Sequence, residues 1–198
     1  MSHGIDGITM VSLRVFFGMV LFWLTALCFK REKVPLRDKL LFGAAGLFGL
    51  TFNQCLYTIG LSITSPVNSS IVTTSMPIFA MVLSFLILKE PITLQKALGV
   101  FIGCCGAVTL VLTSAAAISD KIGDIRGDLM CIGAQLSFAL YLSLFNKLIK
   151  RYSVFTVNNW MFLWATMFIW PFTFTHVSGV QWSDVPRMSL LEAGFVVF

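Results

Sequence analysis

Arg14, Asn53, Tyr57, Pro77 and Gln135 stand out because each interrupts a run of apolar residues. Asn53, Tyr57 and Gln135 carry uncharged hydrogen-bonding groups, Arg14 a fixed cation, and Pro77 no backbone N–H. Together such groups can bind and orient a polar solute. They are poorly suited to acid–base catalysis, since the centres of the surrounding runs hold no Asp, Glu, Lys or His. The chain also lacks H-E-x-x-H, Gly-x-Ser-x-Gly and a phosphate-binding Gly-Lys-Ser/Thr. An ATP-driven pump or membrane protease is therefore not expected, and no catalytic residue, metal or cofactor is assigned. Each candidate has a structural counterpart. Arg14 can snorkel outward, Asn53 and Tyr57 can bond a neighbouring helix, and Pro77 can serve as a packing kink.

The elements that must position these residues follow from composition. The 198-residue chain is 57% hydrophobic and 12% charged, which makes lipid its natural solvent. Six runs are long enough to cross a bilayer: Ile8–Phe29 (A), Leu40–Ile63 (B), Val67–Leu88 (C), Leu94–Thr113 (D), Leu129–Leu148 (E) and Val154–Thr175 (F). Arg14 lies well inside span A, Lys96 and Lys147 fall at the ends of spans D and E, and a seventh run begins near Met188. "MSHGIDGITM" has no basic leader, so no cleavable signal is expected. The five cysteines lie in apolar runs without Cys-x-x-Cys, which reads as packing and not as a disulfide framework or metal site.

Charge is sorted by loop. The A–B, C–D and E–F connections carry ten Lys or Arg, within residues 30–39, 89–96 and 147–151. The alternate connections hold Lys121, Arg126 and Arg187 among Asp120, Asp124, Asp128 and Asp184. Cationic loops stay in the cytoplasm, so the ten-charge side is inside and the net charge of +5 records topology, with nucleic acid excluded as a partner.

Inside the spans, Gly46, Gly49, Asn53, Tyr57 and Gly60 recur at three and four residues, one small and polar stripe along span B. Gln135, Ala139, Ser143 and Asn146 line a similar face of span E. Pro77 should break span C near its middle and free the Thr73 carbonyl, with Thr73, Thr74 and Ser75 at hand to supply a hydroxyl. Lys89-Glu90-Pro91 reads as a helix stop, and Gly99-x-x-x-Gly103 as a surface for close helix contact. Asn158 and Asn159 fall near the cytoplasmic surface, where solvation is the default, while Trp160 and Trp164 read as packing or interface anchors. Proton coupling lacks a buried acid, Glu192 being the only candidate.

A shift of 147 residues places "ITMVSLRVFFGMVLFW" on "FTVNNWMFLWATMFIW", with Thr9 on Thr156, Gly18 on Ala165 and Trp23 on Trp170. Span A then runs inward and span F outward, the relation of inverted repeats. "VSLRVFFGMVLFW" together with the block from "YTIGLSITSPVNSS" to "GVFIGCCGAVTLVL" resembles the EamA-type transporters of the drug/metabolite transporter superfamily. That resemblance implies ten helices in two inverted five-helix repeats. Arg14 matches an Arg at the outer start of the second helix, Pro77 a mid-helix Pro in the fourth and Glu90 the Glu closing it. Gly99, Gly103 and Gly106 match a Gly-rich fifth helix.

The expected fold is all-α, a polytopic transmembrane bundle of six complete spans and a partial seventh. Residues 8–113 would form a first repeat lacking its first helix, 114–127 an external linker, and 128–198 part of a second repeat. The resemblance implies a secondary transporter, not an enzyme. It would export a small polar metabolite, an amino acid or similar, by alternating access in a bacterial inner membrane. The alternative is a non-transporting fragment that needs further helices. Lipid and a small solute are the expected partners, and a homodimer is left open.

Overall fold

The computed structural model describes residues 7–28, 32–115 and 124–179. Among them the regular elements are helical: α1 (Gly7–Cys28), α2 (Leu36–Gly46), a π-helical turn (Leu47–Phe52), α3 (Asn53–Ile63), α4 (Pro66–Thr73), α5 (Met76–Leu83), a second π-helical turn (Ser84–Leu88), α6 (Leu94–Ala115), α7 (Ile125–Leu144), α8 (Asn146–Arg151) and α9 (Val154–Gly179). Among the described residues, Thr9–Ala26, Leu36–Ile63, Pro66–Leu88 and Ile125–Leu144 are long and apolar enough to cross a bilayer, and Leu94–Thr109 is a shorter apolar stretch. The protein is an all-α integral membrane bundle. The apolar run from Met188, Glu192 within it, and residues 116–123 of the expected linker lie outside the described residues.

The helix starts differ from the hydropathy boundaries for a physical reason. Span B begins at Leu36, not Leu40, because Asp38 is drawn into the first turn and buried there with partners. Span E begins at Ile125, not Leu129, because the Asp124 carboxylate caps the helix, accepting the Arg126 N–H at 3.0 Å. Span C starts at a similar cap: the Ser65 hydroxyl accepts the Asn68 N–H at 3.1 Å, with Pro66 at the first helical position.

Span C breaks at Thr74–Ser75 and restarts at Met76, which puts Pro77 in the first turn of α5, where a missing N–H costs little. The hydroxyls of Thr73, Thr74 and Ser75 do not serve the Thr73 carbonyl. Each turns back to the preceding turn, bonding the carbonyls of Ser69, Ile71 and Val72 at 2.8, 2.7 and 2.6 Å. The Cys104 thiol of α6 reaches the Thr74 carbonyl at 3.2 Å. At the other end Lys89 takes a left-handed conformation (φ 55°), and the chain leaves the helix before Glu90 and Pro91.

The described chain divides into two compact units, Met1–Thr51 with Lys147–Phe198, and Phe52–Asn146. In the first, α1 packs on α9 through Phe16–Trp170, Phe22–Phe162 and Trp23–Trp160 ring pairs at 5.6, 5.1 and 6.2 Å. Positions rise along α1 as they fall along α9, so the two helices are antiparallel. Thr9 and Ser12 of α1 are buried, and so are Thr156 and Asn159 of α9, the positions 147 residues on. Asn159 is thus not solvated as its place near the helix start suggested. On the other side of α9, α2 brings Gly43 under the Trp164 ring and Gly46 against the Met161 carbonyl.

In the second unit α7 is the hub, touched by α3, α4 and α5, while α6 rests on α4. The closest approach is glycine to glycine. A methyl on Gly60 would lie 2.8 Å from the Gly127 carbonyl, and one on Gly127 would lie 2.7 Å from that of Gly60. Lipid supplies no hydrophobic force between helices, so contact this close is what binds them. The stripe expected along span B is therefore split. Gly46 serves α9 in the first unit and Gly60 serves α7 in the second, with the π-helical turn between them in the chain. Gly99, Gly103 and Gly106 make no close helix contact: a methyl on any of them would meet nothing within 4 Å.

Gly60→Val should therefore lower stability by about 1–3 kcal/mol through overpacking. Gly103→Ala, on the open face, should be neutral or slightly stabilising. Thermal unfolding in detergent compares the two, and equal losses would contradict this packing.

Candidate functional site

Helix α7 presents its polar residues inward. Gln135, Ala139 and Ser143, spaced by four, are 7%, 0% and 1% exposed. The Ser143 hydroxyl has no hydrogen-bond partner, a condition that costs about 1–3 kcal/mol in a dry interior. One helix over, the Asn53 side chain donates to the Ala134 carbonyl at 2.9 Å, beside Gln135 in sequence. Tyr57, one turn further along α3, is half-buried. Asn53 is thus engaged in holding α3 to α7. Pro77, on the α5 helix that also packs on α7, is exposed. Arg14 belongs to the other unit and is exposed on α1. In that unit the buried Thr9 hydroxyl and the Thr51 hydroxyl, the Asn159 amide oxygen and the Trp164 indole N–H likewise lack partners.

Glu90 and Pro91 line a cleft of about 460 Å³ together with Ala80, Met81 and Gly99, and Lys96 pairs with Glu90 at 3.7 Å. Trp160 and Trp164 act as packing groups: Lys39 sits 4.8 Å over the Trp160 ring, and Trp164 stacks on Phe168 at 5.8 Å.

Two polar clusters escaped the sequence reading, which counted their members as loop charge. In the second unit the Asp128 carboxylate, in the first turn of α7, accepts the Thr64 hydroxyl and, at 3.3 Å, the Asn68 amide. Thr64 closes α3 and Asn68 opens α4, so one carboxylate ties three helix ends together. In the first unit Asp38, in the first turn of α2 and 5% exposed, accepts the Tyr152 hydroxyl and Arg151 Nη1 at 3.2 Å. The Tyr152 ring meets Phe42 edge-on at 5.5 Å. Beside it the Glu32 carboxylate accepts the Ser153 N–H at 3.2 Å and the Ser153 hydroxyl at 3.3 Å. Hydrogen bonding from the Thr156 hydroxyl is the main influence pulling the Glu32 carboxyl below its ordinary range. An Asp in the first turn was the available signal: a carboxylate there faces the helix's free N–H groups and can also reach a neighbouring chain end.

Known proteins place this architecture. The profile of the EamA-like transporter family matches residues 1–112. Over 147 residues the chain is 25% identical to the uncharacterized transporter YetK of Bacillus subtilis (strain 168), covering 74% of this chain and 43% of that protein. It is 35% identical over 109 residues to the uncharacterized transporter YyaM of the same organism, covering 54% of this chain and 34% of that one. An uncharacterized transporter of Archaeoglobus fulgidus is 26% identical over 165 residues, covering 83% of this chain and 56% of its own length. The chain thus spans about a third to just over half the length of these three curated relatives.

The Tyr152 phenol is held above its ordinary value of 10.0, first by its hydrogen bond to Asp38. A group raised on folding gives its full contribution below its unfolded pKa and loses it as pH rises through the folded one, so this contact persists at pH 10 and fails above. Phenolate absorbance of the native protein minus that of Tyr152→Phe should reveal one late-titrating tyrosine. In an Asp38→Asn background it should return toward pH 10, and an unchanged midpoint there would contradict the assignment.

Proposed function

Because this chain belongs to the EamA-like transporter family, we propose that it forms the solute-carrying part of a secondary transporter that exports a small polar metabolite, such as an amino acid, by alternating access. The carrying observation is the buried polar lane of Gln135, Ala139 and Ser143 on an otherwise apolar membrane span, with the Ser143 hydroxyl unpartnered. Apolar packing alone gives no reason for an open hydroxyl there. A polar solute passing along the face would supply the missing partner and leave again, since a lone hydroxyl binds weakly. Asn53 and Tyr57 lie on α3 and Pro77 on α5, the two helices packed against α7. Arg14 would attract an anionic group of the solute.

Two inverted repeats, 8–113 and 128–198 joined by residues 114–127, would supply the two states. The antiparallel α1–α9 seam supports this, since Thr9 with Thr156 and Ser12 with Asn159 occupy buried positions 147 residues apart. Inverted repeats can exchange conformations, which turns one inward-facing shape into an outward-facing one. The basic loops 30–39, 89–96 and 147–151 would face the cytoplasm of a bacterial inner membrane. Coupling through a carboxylate or histidine in the span centres finds no support, and neither does enzymatic turnover. The open glycine face of α6 favours a second reading, in which further helices must pack there before the chain carries anything.

Flux of radiolabelled amino acids into and out of proteoliposomes tests both. Gln135→Ala and Ser143→Val should lower flux about tenfold or more while leaving the fold intact, the loss expected for one or two hydrogen bonds to the solute. Asn53→Ala should instead weaken the α3–α7 seam by about 0.6–2 kcal/mol. No flux for any small polar solute would favour the second reading, and full flux in both lane variants would remove the lane from the path.

A further inference from the structure

Deepening the transport reading and resting on it, we propose that the Asp38 and Asp128 clusters are the two gates of the cycle, one made while the other is broken. Both are built to one plan. Each carboxylate stands in the first turn of a membrane helix, and each is held by side chains at or near the end of another helix. Asp128 of α7 takes the Thr64 hydroxyl at the close of α3, and Asp38 of α2 takes Arg151 and Tyr152 at the close of α8. The two sets bracket the same stretches of chain: Asp38 and Thr64 flank the span Leu36–Ile63, while Asp128 and Tyr152 flank α7 with α8. Within the second unit α3 and α7 run antiparallel, with Asn53 at Ala134, Gly60 at Cys131 and Thr64 at Asp128.

Their chemistry suits a latch. Each bond ends on a charged oxygen, which makes it strong and directional, yet the partners are exchangeable for water once the end opens. The Arg151 side chain is 66% exposed, so it can be rehydrated without leaving a buried cation. Asp38 is the opposite, 8% exposed at its side chain, and parting from both donors without water would be prohibitive. Separation of this end must therefore admit water, and that defines a gate. The glycine contact of Gly60 with Gly127 supplies the pivot on which α3 and α7 can tilt without losing their seam.

Hydrogen–deuterium exchange of the full chain in lipid nanodiscs, with no solute present, is the test. Asp38→Asn should speed exchange at residues 36–42 and 146–156 by about tenfold and slow it at 60–68 and 124–130 by about threefold, as a two-state equilibrium moves. Asp128→Asn should do the reverse. Should either variant fold poorly, Tyr152→Phe and Thr64→Val remove one donor apiece and should give smaller shifts of the same signs. Faster exchange at the altered end with the far end unchanged, in both pairs, would reduce the clusters to structural ties and overturn the proposal. The measurement needs no substrate. Opposed exchange without flux for any solute would sink the transport reading alone, while flux without opposed exchange would sink the gates alone.

Discussion

Hydrocarbon offers a polar group no partner, and most of this architecture can be traced to that shortage. Helices satisfy their own backbones, so the interest lies where they start, stop or break. Each such place is supplied locally. Ser65 and Asp124 cap their helices, the hydroxyls around the Thr74–Ser75 break fold back on the preceding turn, and the Cys104 thiol covers the Thr74 carbonyl. Against that background, an interior hydroxyl left unsupplied, as at Ser143, is conspicuous.

The same scarcity decides how helices hold together. With no hydrophobic gain to be had between them, contact comes from bare backbone and from rings. The second unit uses the first, at Gly60 and Gly127; the first unit uses the second, with Phe16, Phe22 and Trp23 laid against α9.

How much of this could be read beforehand depends on the range of the forces involved. Hydropathy located the membrane helices to within a few residues, because crossing lipid is a property of a continuous segment. The break near Pro77 was legible too, being a consequence of one ring. What escaped was pairwise. Asp38 and Asp128 looked like loop charge because nothing along the chain announces Tyr152, 114 residues away, or Thr64, 64 residues away. For Asn53 the sequence left a solute or a neighbouring helix as partner, and could not name the Ala134 carbonyl 81 residues off. The glycines of α6 misled for a related reason: spacing says that a face can be approached, never that anything approaches it.

The π-helical turn at Leu47–Phe52 bears on how such a chain can change length. It accommodates a surplus residue while leaving both flanking segments helical, in the manner of an insertion absorbed by a bulge. Deleting one of those six residues would let the segment close into ordinary α-helix while both flanking faces keep their register. Sequence alignments of this span should accordingly show single-residue gaps here more readily than elsewhere along the helix.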